Sequence, residues 1–177
     1  MKLLAINGSH RKGNTDFLLS NLLEEKDIIK LREKKITFCG GGDDCCPRTG
    51  TCYFKDDMPK IGKRMEEAGL IILASPCYFS NVTAMMKNFM DRCNPFFFNK
   101  KLMGKKYFLI TLGGYQKSLP DEMTCMKNFV KGVHGEVVGQ YSAVANRRDD
   151  AVKNEKVIKE LEDLKVRIND IKIQQSP

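Results

Sequence analysis

Five consecutive apolar residues, Leu70-Ile71-Ile72-Leu73-Ala74, restrict what this chain can become more than any other stretch. A strand with one wet face shows a polar residue at every second position. This run shows none, so it predicts a strand covered on both sides, as in a parallel sheet sandwiched by helices. Leu3 to Ile6 reads the same way, and Tyr107 to Leu112 is a strand, with Ile28 to Leu31 as a short one and Val137 to Val144 as another. Between these runs the period changes from strand to helix. Leu18, Leu19, Leu22 and Leu23 line one face of a helix from Thr15 to about Glu24, and Asp56 or Asp57 caps a helix with Pro59 in its first turn that runs to about Glu67. Val82, Met85, Met86, Phe89, Met90 and Cys93 recur at helical spacing, which makes the methionines core filler. Asp121 to about Val130 forms a further helix, and Val157, Leu161, Leu164, Ile168 and Ile171 mark a last one packing on the sheet. Strand and helix thus alternate along the chain, which implies an α/β fold with right-handed crossovers and helices on both faces.

At 177 residues, with no linker-like stretch, residues 1–177 are expected to form a single domain. No apolar run approaches the length of a membrane span, and Met1 to Ile6 is too short for a signal peptide, so a soluble, cytoplasmic protein without membrane contact is expected. The net charge of +8 would favour an anionic partner, yet the basic residues are interleaved with acids on helix faces and lack the aromatic spacing of a nucleic-acid platform. No nucleic-acid partner is therefore expected. Two denser basic clusters, Lys30 to Lys35 and Lys100 to Lys106, are candidates to assist phosphate binding.

The turn Asn7-Gly8-Ser9-His10-Arg11-Lys12-Gly13-Asn14-Thr15 links the first strand to the first helix. A glycine-bearing turn that opens a helix presents unpaired backbone N–H groups and hydroxyls to one point, which is a phosphate cradle. It lacks the glycine two residues after Gly8 that the dinucleotide fingerprint G-x-G-x-x-G requires, and it has Asn14 where the P-loop needs lysine. A terminal phosphomonoester needs only convergent hydroxyls and amides with a cation nearby. Ser9, Asn14, Thr15 and Arg11 supply that set, with Gly13 in the turn and His10 beside it. The alternative is an ordinary strand-to-helix turn capped by Asn14 or Thr15. Replacing Asn14 with leucine is expected to weaken ligand retention with little loss of fold.

Read with Ser75-Pro76-Cys77-Tyr78-Phe79-Ser80-Asn81-Val82-Thr83-Ala84, then Lys87-Asn88-Phe89 and Asp91-Arg92, and with Thr111-Leu112-Gly113-Gly114-Tyr115, this turn resembles the NAD(P)H-dependent FMN reductase and iron–sulfur flavoprotein group of the flavodoxin-like proteins. The resemblance implies a flavodoxin-like three-layer sandwich with a five-stranded parallel sheet in the order 2-1-3-4-5. It carries phosphate binding to Ser9, Arg11, Asn14 and Thr15. Contacts with the isoalloxazine ring fall to Pro76, Cys77, Tyr78, Phe79 and Asn81, and contacts on its far side to Thr111, Gly113 and Gly114. The flavin itself would carry the chemistry, so no catalytic side chain is expected.

Cys39, Cys45, Cys46 and Cys52 form a cysteine-rich loop insertion over residues 39–52 that is similar to the cysteine loop of the iron–sulfur flavoproteins. Cys46 and Cys52 fit that motif's last pair. Counting back in threes from Cys46 lands on Asp43 and Gly40, so the first two ligand positions are not met, and a [4Fe–4S] cluster, a zinc site and unligated thiols all remain open. The first functional expectation is an FMN-dependent oxidoreductase passing electrons from NAD(P)H to a small acceptor such as a quinone or free flavin. The alternatives are an iron–sulfur flavoprotein carrying electrons between redox protein partners and a phosphate-binding module with no redox role. The resemblance further implies a homodimer or homotetramer.

Overall fold

The computed structural model describes residues 1–41 and 45–173. Five strands, β1 (Leu3–Asn7), β2 (Ile28–Lys30), β3 (Leu70–Pro76), β4 (Lys106–Gly113) and β5 (Glu136–Val144), pair in parallel in the order β2-β1-β3-β4-β5. The expected fold class and strand order are both present. The helices are α1 (Asn14–Leu22), α2 (Cys45–Thr49), α3 (Met58–Glu67), α4 (Ala84–Arg92), α5 (Asn94–Asn99), α6 (Leu119–Gly132), α7 (Asp150–Lys153) and α8 (Glu155–Ile173).

Successive side chains of a strand point to opposite faces. Leu4, Ile6, Ile71, Leu73, Tyr107 and Leu109 therefore share one face, which packs on α3, α4 and α6 through Met58, Ile61, Met65, Met86, Phe89, Met123 and Met126. Ala5, Ile72, Ala74, Phe108 and Ile110 share the other, which packs on α1 and α8 through Leu18, Leu19, Val157, Leu161, Leu164 and Ile168. The methionines at helical spacing are core, as expected. Among the described residues no helix is long and apolar enough to cross a membrane.

The cysteine-rich stretch differs from the expected loop, because one turn of it, α2, is helical. Asn99 Nδ2 donates to Gly50 O at 2.7 Å and holds this stretch against α5. Behind it, Arg92 and Asp56 form a buried ion pair, with Nη1 2.6 Å from Oδ2, and Arg92 Nη1 also donates to Thr37 O. Asp56 accepts from the N–H groups of Thr37 and Met58 as well, the latter at the first residue of α3, while Asp57, the residue at the helix cap, accepts from Lys35 N–H instead of from the helix. Position Asp43, reached by counting back from Cys46, lies outside the described residues.

The basic cluster Lys100–Lys106 leads into the amino end of β4, opposite the carboxyl edge where the phosphate cradle lies. Lys105 Nζ there donates to the carbonyls of Glu66 and Ala68, a structural role rather than a phosphate-binding one.

Candidate functional site

A parallel sheet in this order leaves a crevice beyond the carboxyl ends of β1 and β3, where the chain's winding direction reverses. A pocket of about 440 Å³ opens there. Three segments wall it: the turn after β1 (Ser9, Arg11, Gly13, Asn14, Thr15), the loop after β3 (Pro76 to Ser80) and the end of β4 with its loop (Leu112 to Tyr115, and Ser118). Ala145, Asn146 and Arg148, from the link between β5 and α7, close the fourth side. The volume falls within the roughly 300–1,000 Å³ of small-ligand sites.

The turn after β1 is built from behind. Gly8 N–H donates to Ala74 O at 2.8 Å, and a Cβ on Gly8 would stand 2.9 Å from Met86 Cβ, so only glycine lets the chain pass this close to α4. Thr83 caps α4 by accepting from Met86 N–H at 3.1 Å while its hydroxyl donates to Gly8 O at 2.6 Å. Arg32 grips Asp16 with two hydrogen bonds of 2.7 and 3.2 Å, and Asp16 in turn accepts from Gly13 N–H. The first-turn N–H groups of α1 have no partner within the helix, and Gly13, Asn14 and Thr15 line the pocket where that turn opens. The exposed guanidinium-bearing residues Arg11 and Arg148 make this end cationic. The opposite end, with Pro76, Cys77, Tyr78, Leu112 and Gly113, is apolar and aromatic.

Of the residues expected to bind the cofactor, Ser9, Arg11, Gly13, Asn14, Thr15, Pro76, Cys77, Tyr78, Phe79, Gly113 and Gly114 line the pocket. Asn14 is nonetheless engaged elsewhere. Its Nδ2 donates to Arg147 O at 2.8 Å and Ala145 O at 3.4 Å, and its Oδ1 accepts from Ala151 N–H at 3.1 Å. It clamps the start of α1 to the link between β5 and α7, so the expectation that its loss would spare the fold is corrected.

Three expected contacts lie outside the pocket wall. His10 lies against Tyr78, with Nδ1 3.4 Å from the phenol oxygen, instead of lining the cradle. Asn81 closes a two-residue hairpin turn with Tyr78, and its side chain accepts from Val82 N–H. Phe79 (φ 50°) and Ser80 (φ 57°) occupy the centre of that turn in left-handed backbone, a strained choice for two non-glycine residues, and the Phe79 ring stands fully in solvent. Thr111 is fully buried. Strand alternation turns it away from Leu112 and into the layer of α6, where its hydroxyl donates to Glu122 Oε2.

Glu122 is wholly buried, and its Oε1 has no hydrogen-bond partner among the described residues. Burial pushes its carboxyl up to about 8, against the opposing influence of the nearby Ser75 hydroxyl and Cys77 thiol. Burial, and then the Glu122 charge, push the Cys77 thiol up to about 11, so Cys77 is a neutral wall of the pocket rather than a nucleophile.

Sequence reasoning missed Arg148, Asn146, Tyr115 and Ser118 at the pocket and Glu122 behind it, and Arg32, expected in the Lys30 to Lys35 cluster to assist phosphate binding, is instead held by Asp16. Arg147-Arg148-Asp149-Asp150 reads as solvated charge, and nothing local to it signals the approach of Arg148 to Gly13.

The expected metal set, Cys39, Cys45, Cys46 and Cys52, is brought into one neighbourhood. Burial raises the Cys46 thiol, and the charges of Cys52, Cys45 and Cys39 raise it further. The thiols do not converge on a common ligating point: among the described residues no three His, Cys, Asp or Glu side chains could hold a metal ion. Cys45 Sγ is turned to Thr51 O at 3.3 Å, because the α2 turn points it back along its own chain. The donors present do not fit a cluster in this arrangement.

Residues 1–149 match the family described as NADPH-dependent FMN reductase. Among curated proteins, an iron-sulfur flavoprotein of Archaeoglobus fulgidus is 46% identical over 99 residues, which cover 52% of this chain and 48% of the relative. A putative NAD(P)H-dependent FMN-containing oxidoreductase of Bacillus subtilis is 28% identical over 122 residues, covering 64% of this chain and 67% of the relative. The chain spans about half the length of the first two iron-sulfur relatives, 48% and 51%. Among solved structures, the Trp repressor binding protein of Bacillus subtilis superposes with a TM-score of 0.67 at 22% identity, over 90% of this chain and 95% of that one. An NADH:FMN oxidoreductase in its apo form gives a TM-score of 0.67 at 19% identity, over 98% and 89%. At these identities the structural likeness speaks for the fold alone.

Proposed function

The chain belongs to the NADPH-dependent FMN reductase family, and from that membership we propose that it is a flavin-dependent oxidoreductase whose single domain holds FMN in the pocket beyond β1, β3 and β4. The observation that carries this reading is the polarity of the pocket. One end gathers helix N–H groups, Thr15 and the cations Arg11 and Arg148, which suits a terminal phosphate; the other is an apolar slot between the loops after β3 and β4, which suits a flat heterocycle.

FMN supplies the hydride and single-electron chemistry when bound. The chain's own residues bind and orient. Thr15, Arg11 and Arg148 would take the phosphate, since the Ser9 hydroxyl is spent on Arg11 O at 2.7 Å and its N–H on Asn7 Oδ1, while Pro76 to Phe79 and Leu112 to Gly114 would flank the ring. Gly113 keeps that slot open, because a Cβ there would stand 2.9 Å from Cys77 Cβ and 2.7 Å from Leu119 Cδ2. Electrons would come from NAD(P)H and leave to a small acceptor such as a quinone or free flavin. Phe79 and Tyr115, both exposed at the pocket mouth, give a second copy in a homodimer or homotetramer an apolar surface to cover.

The test is reconstitution of flavin-free protein with FMN, followed by quenching of flavin fluorescence and then by NAD(P)H-driven bleaching of the flavin bands. Stoichiometric uptake and bleaching support the reading; failure to take up FMN refutes it. A second reading, an electron carrier with a cluster in the cysteine stretch, is favoured by the nearness of three further thiols to Cys46 and by the relatives' names. It requires α2 to rearrange around the metal. Iron and acid-labile sulfide analysis of anaerobically purified protein decides it.

A further inference from the structure

Glu122 is a buried acid that the proposed function leaves without a task. Among the described residues no lysine, arginine or histidine is paired with it. From β3 and the loop after it Ser75 and Cys77 lie near it, from β4 Thr111 faces it, and on its own helix the titratable neighbours are the exposed Asp121 just before it and Cys125 one turn on. The charges of α4, Lys87 and Asp91, act on Cys125. An ionised carboxylate in such a place is costly, since one oxygen already lacks a partner. Cys77 stands between this acid and the pocket: it lines the pocket, and the Glu122 charge acts on its thiol.

We propose that Glu122 is a positioning residue of the pocket, acting through Cys77 and Thr111: as a neutral acid it completes an uncharged floor, and on ionising it sets a negative charge behind that floor. The inference rests on the flavin reading above. FMN carries an anionic phosphate and ring carbonyl oxygens, so the neutral floor admits it and the charged floor opposes it. Ionisation releases one proton to solvent, and the Cys77 thiol then donates to the carboxylate instead of to Ser118 O, its acceptor in the structure at 3.5 Å.

The experiment is FMN binding to flavin-free protein, followed by fluorescence from pH 6.5 to 9.5, for the wild type and for Glu122→Gln. Glutamine keeps an acceptor for Thr111 and cannot ionise. The phosphate of FMN titrates identically in both, so the ratio of the two dissociation constants isolates Glu122. That ratio is expected to rise about tenfold across the range, the wild type weakening. Parallel curves overturn the inference. A second measurement needs no flavin: alkylation of Cys77 by iodoacetamide at pH 9, read by peptide mass spectrometry. It is expected to run several-fold faster in Glu122→Gln, because the thiol loses the neighbouring charge that holds it protonated. An unchanged rate counts against the coupling. Absence of FMN binding at every pH refutes the flavin reading, and with it the role toward flavin, while a faster Cys77 reaction in the same protein still upholds the pairing of Glu122 with Cys77.

Discussion

Replacing Asn14 with alanine removes the clamp between α1 and the link that carries Arg148. The side chain makes hydrogen bonds of 2.8 Å to Arg147 O and 3.1 Å from Ala151 N–H, with a longer one of 3.4 Å to Ala145 O. Two good hydrogen bonds contribute about 0.5–1.5 kcal/mol each, and an N–H left unpaired at a buried position costs about 1–3 kcal/mol. Ala151 is fully buried, so its N–H meets that condition. A loss of about 2–4 kcal/mol follows, which with a urea dependence of about 2 kcal/mol per molar lowers the unfolding midpoint by about 1–2 M. FMN affinity falls in parallel, since residues 145–148 lose their tether to the cradle. Equilibrium urea unfolding followed by circular dichroism, alongside FMN titration, measures both. A midpoint within about 0.3 M of wild type would refute the clamp. Lowered stability with unchanged FMN affinity would refute the link between the clamp and the site.

Arg148→Ala is expected to weaken FMN by about 10–100-fold, the worth of a charge-assisted hydrogen bond, while leaving riboflavin, which has no phosphate, nearly unaffected. Equal losses for the two ligands would remove Arg148 from the phosphate end. Asp56→Ala leaves Arg92, whose side chain is wholly buried, without its counter-charge and is expected to cost about 3–5 kcal/mol in urea unfolding. Burial opposes ionisation of Asp56, but hydrogen bonds from Arg92, Thr37 and Met58 hold its carboxyl below the usual range. Its contribution is therefore present above the unfolded value of 3.8 and is lost as pH falls through the folded one, so the variant's deficit should shrink in acid. Glu122 has the opposite sign: the folded chain holds its proton more tightly than the unfolded chain, so stability should decline as pH rises from 4.5 to about 8 and then level off. Glu122→Gln should flatten that decline, and an identical slope in both proteins would contradict the buried acid.

The regular parts of the fold were legible because each is written in a local period. Leu70 to Ala74 is buried on both faces as its unbroken apolar run requires, and Met86 and Phe89 are core at the spacing that announced them. The turn at Ser9 to Thr15 was legible for a related reason, since a strand end and a helix start joined by glycine leave backbone donors together whatever surrounds them. The misreadings share the opposite property. Thr111 adjoins Leu112 and Gly113 in sequence, yet strand pleating sends it to the other layer and to Glu122. Asn14 carries the chemistry of a phosphate ligand, but a segment more than 130 residues away takes its carboxamide first. The cysteines share a stretch, but the α2 turn decides where Cys45 Sγ points.

Taken alone, the periodicity of the residues determined the strands, the helix faces and the layer arrangement, because hydrophobic period and crossover handedness are satisfied by few topologies, while the strand order followed from the resemblance that the turn after β1 and the segments at Pro76 and Thr111 carry. Only tertiary structure decided which side chains were still free to serve a ligand. Hydrogen-bond partners far apart in sequence claim donors and acceptors that look available in the linear text, and burial alone turned Glu122, unremarked in the sequence, into an acid titrating near neutral pH behind the pocket.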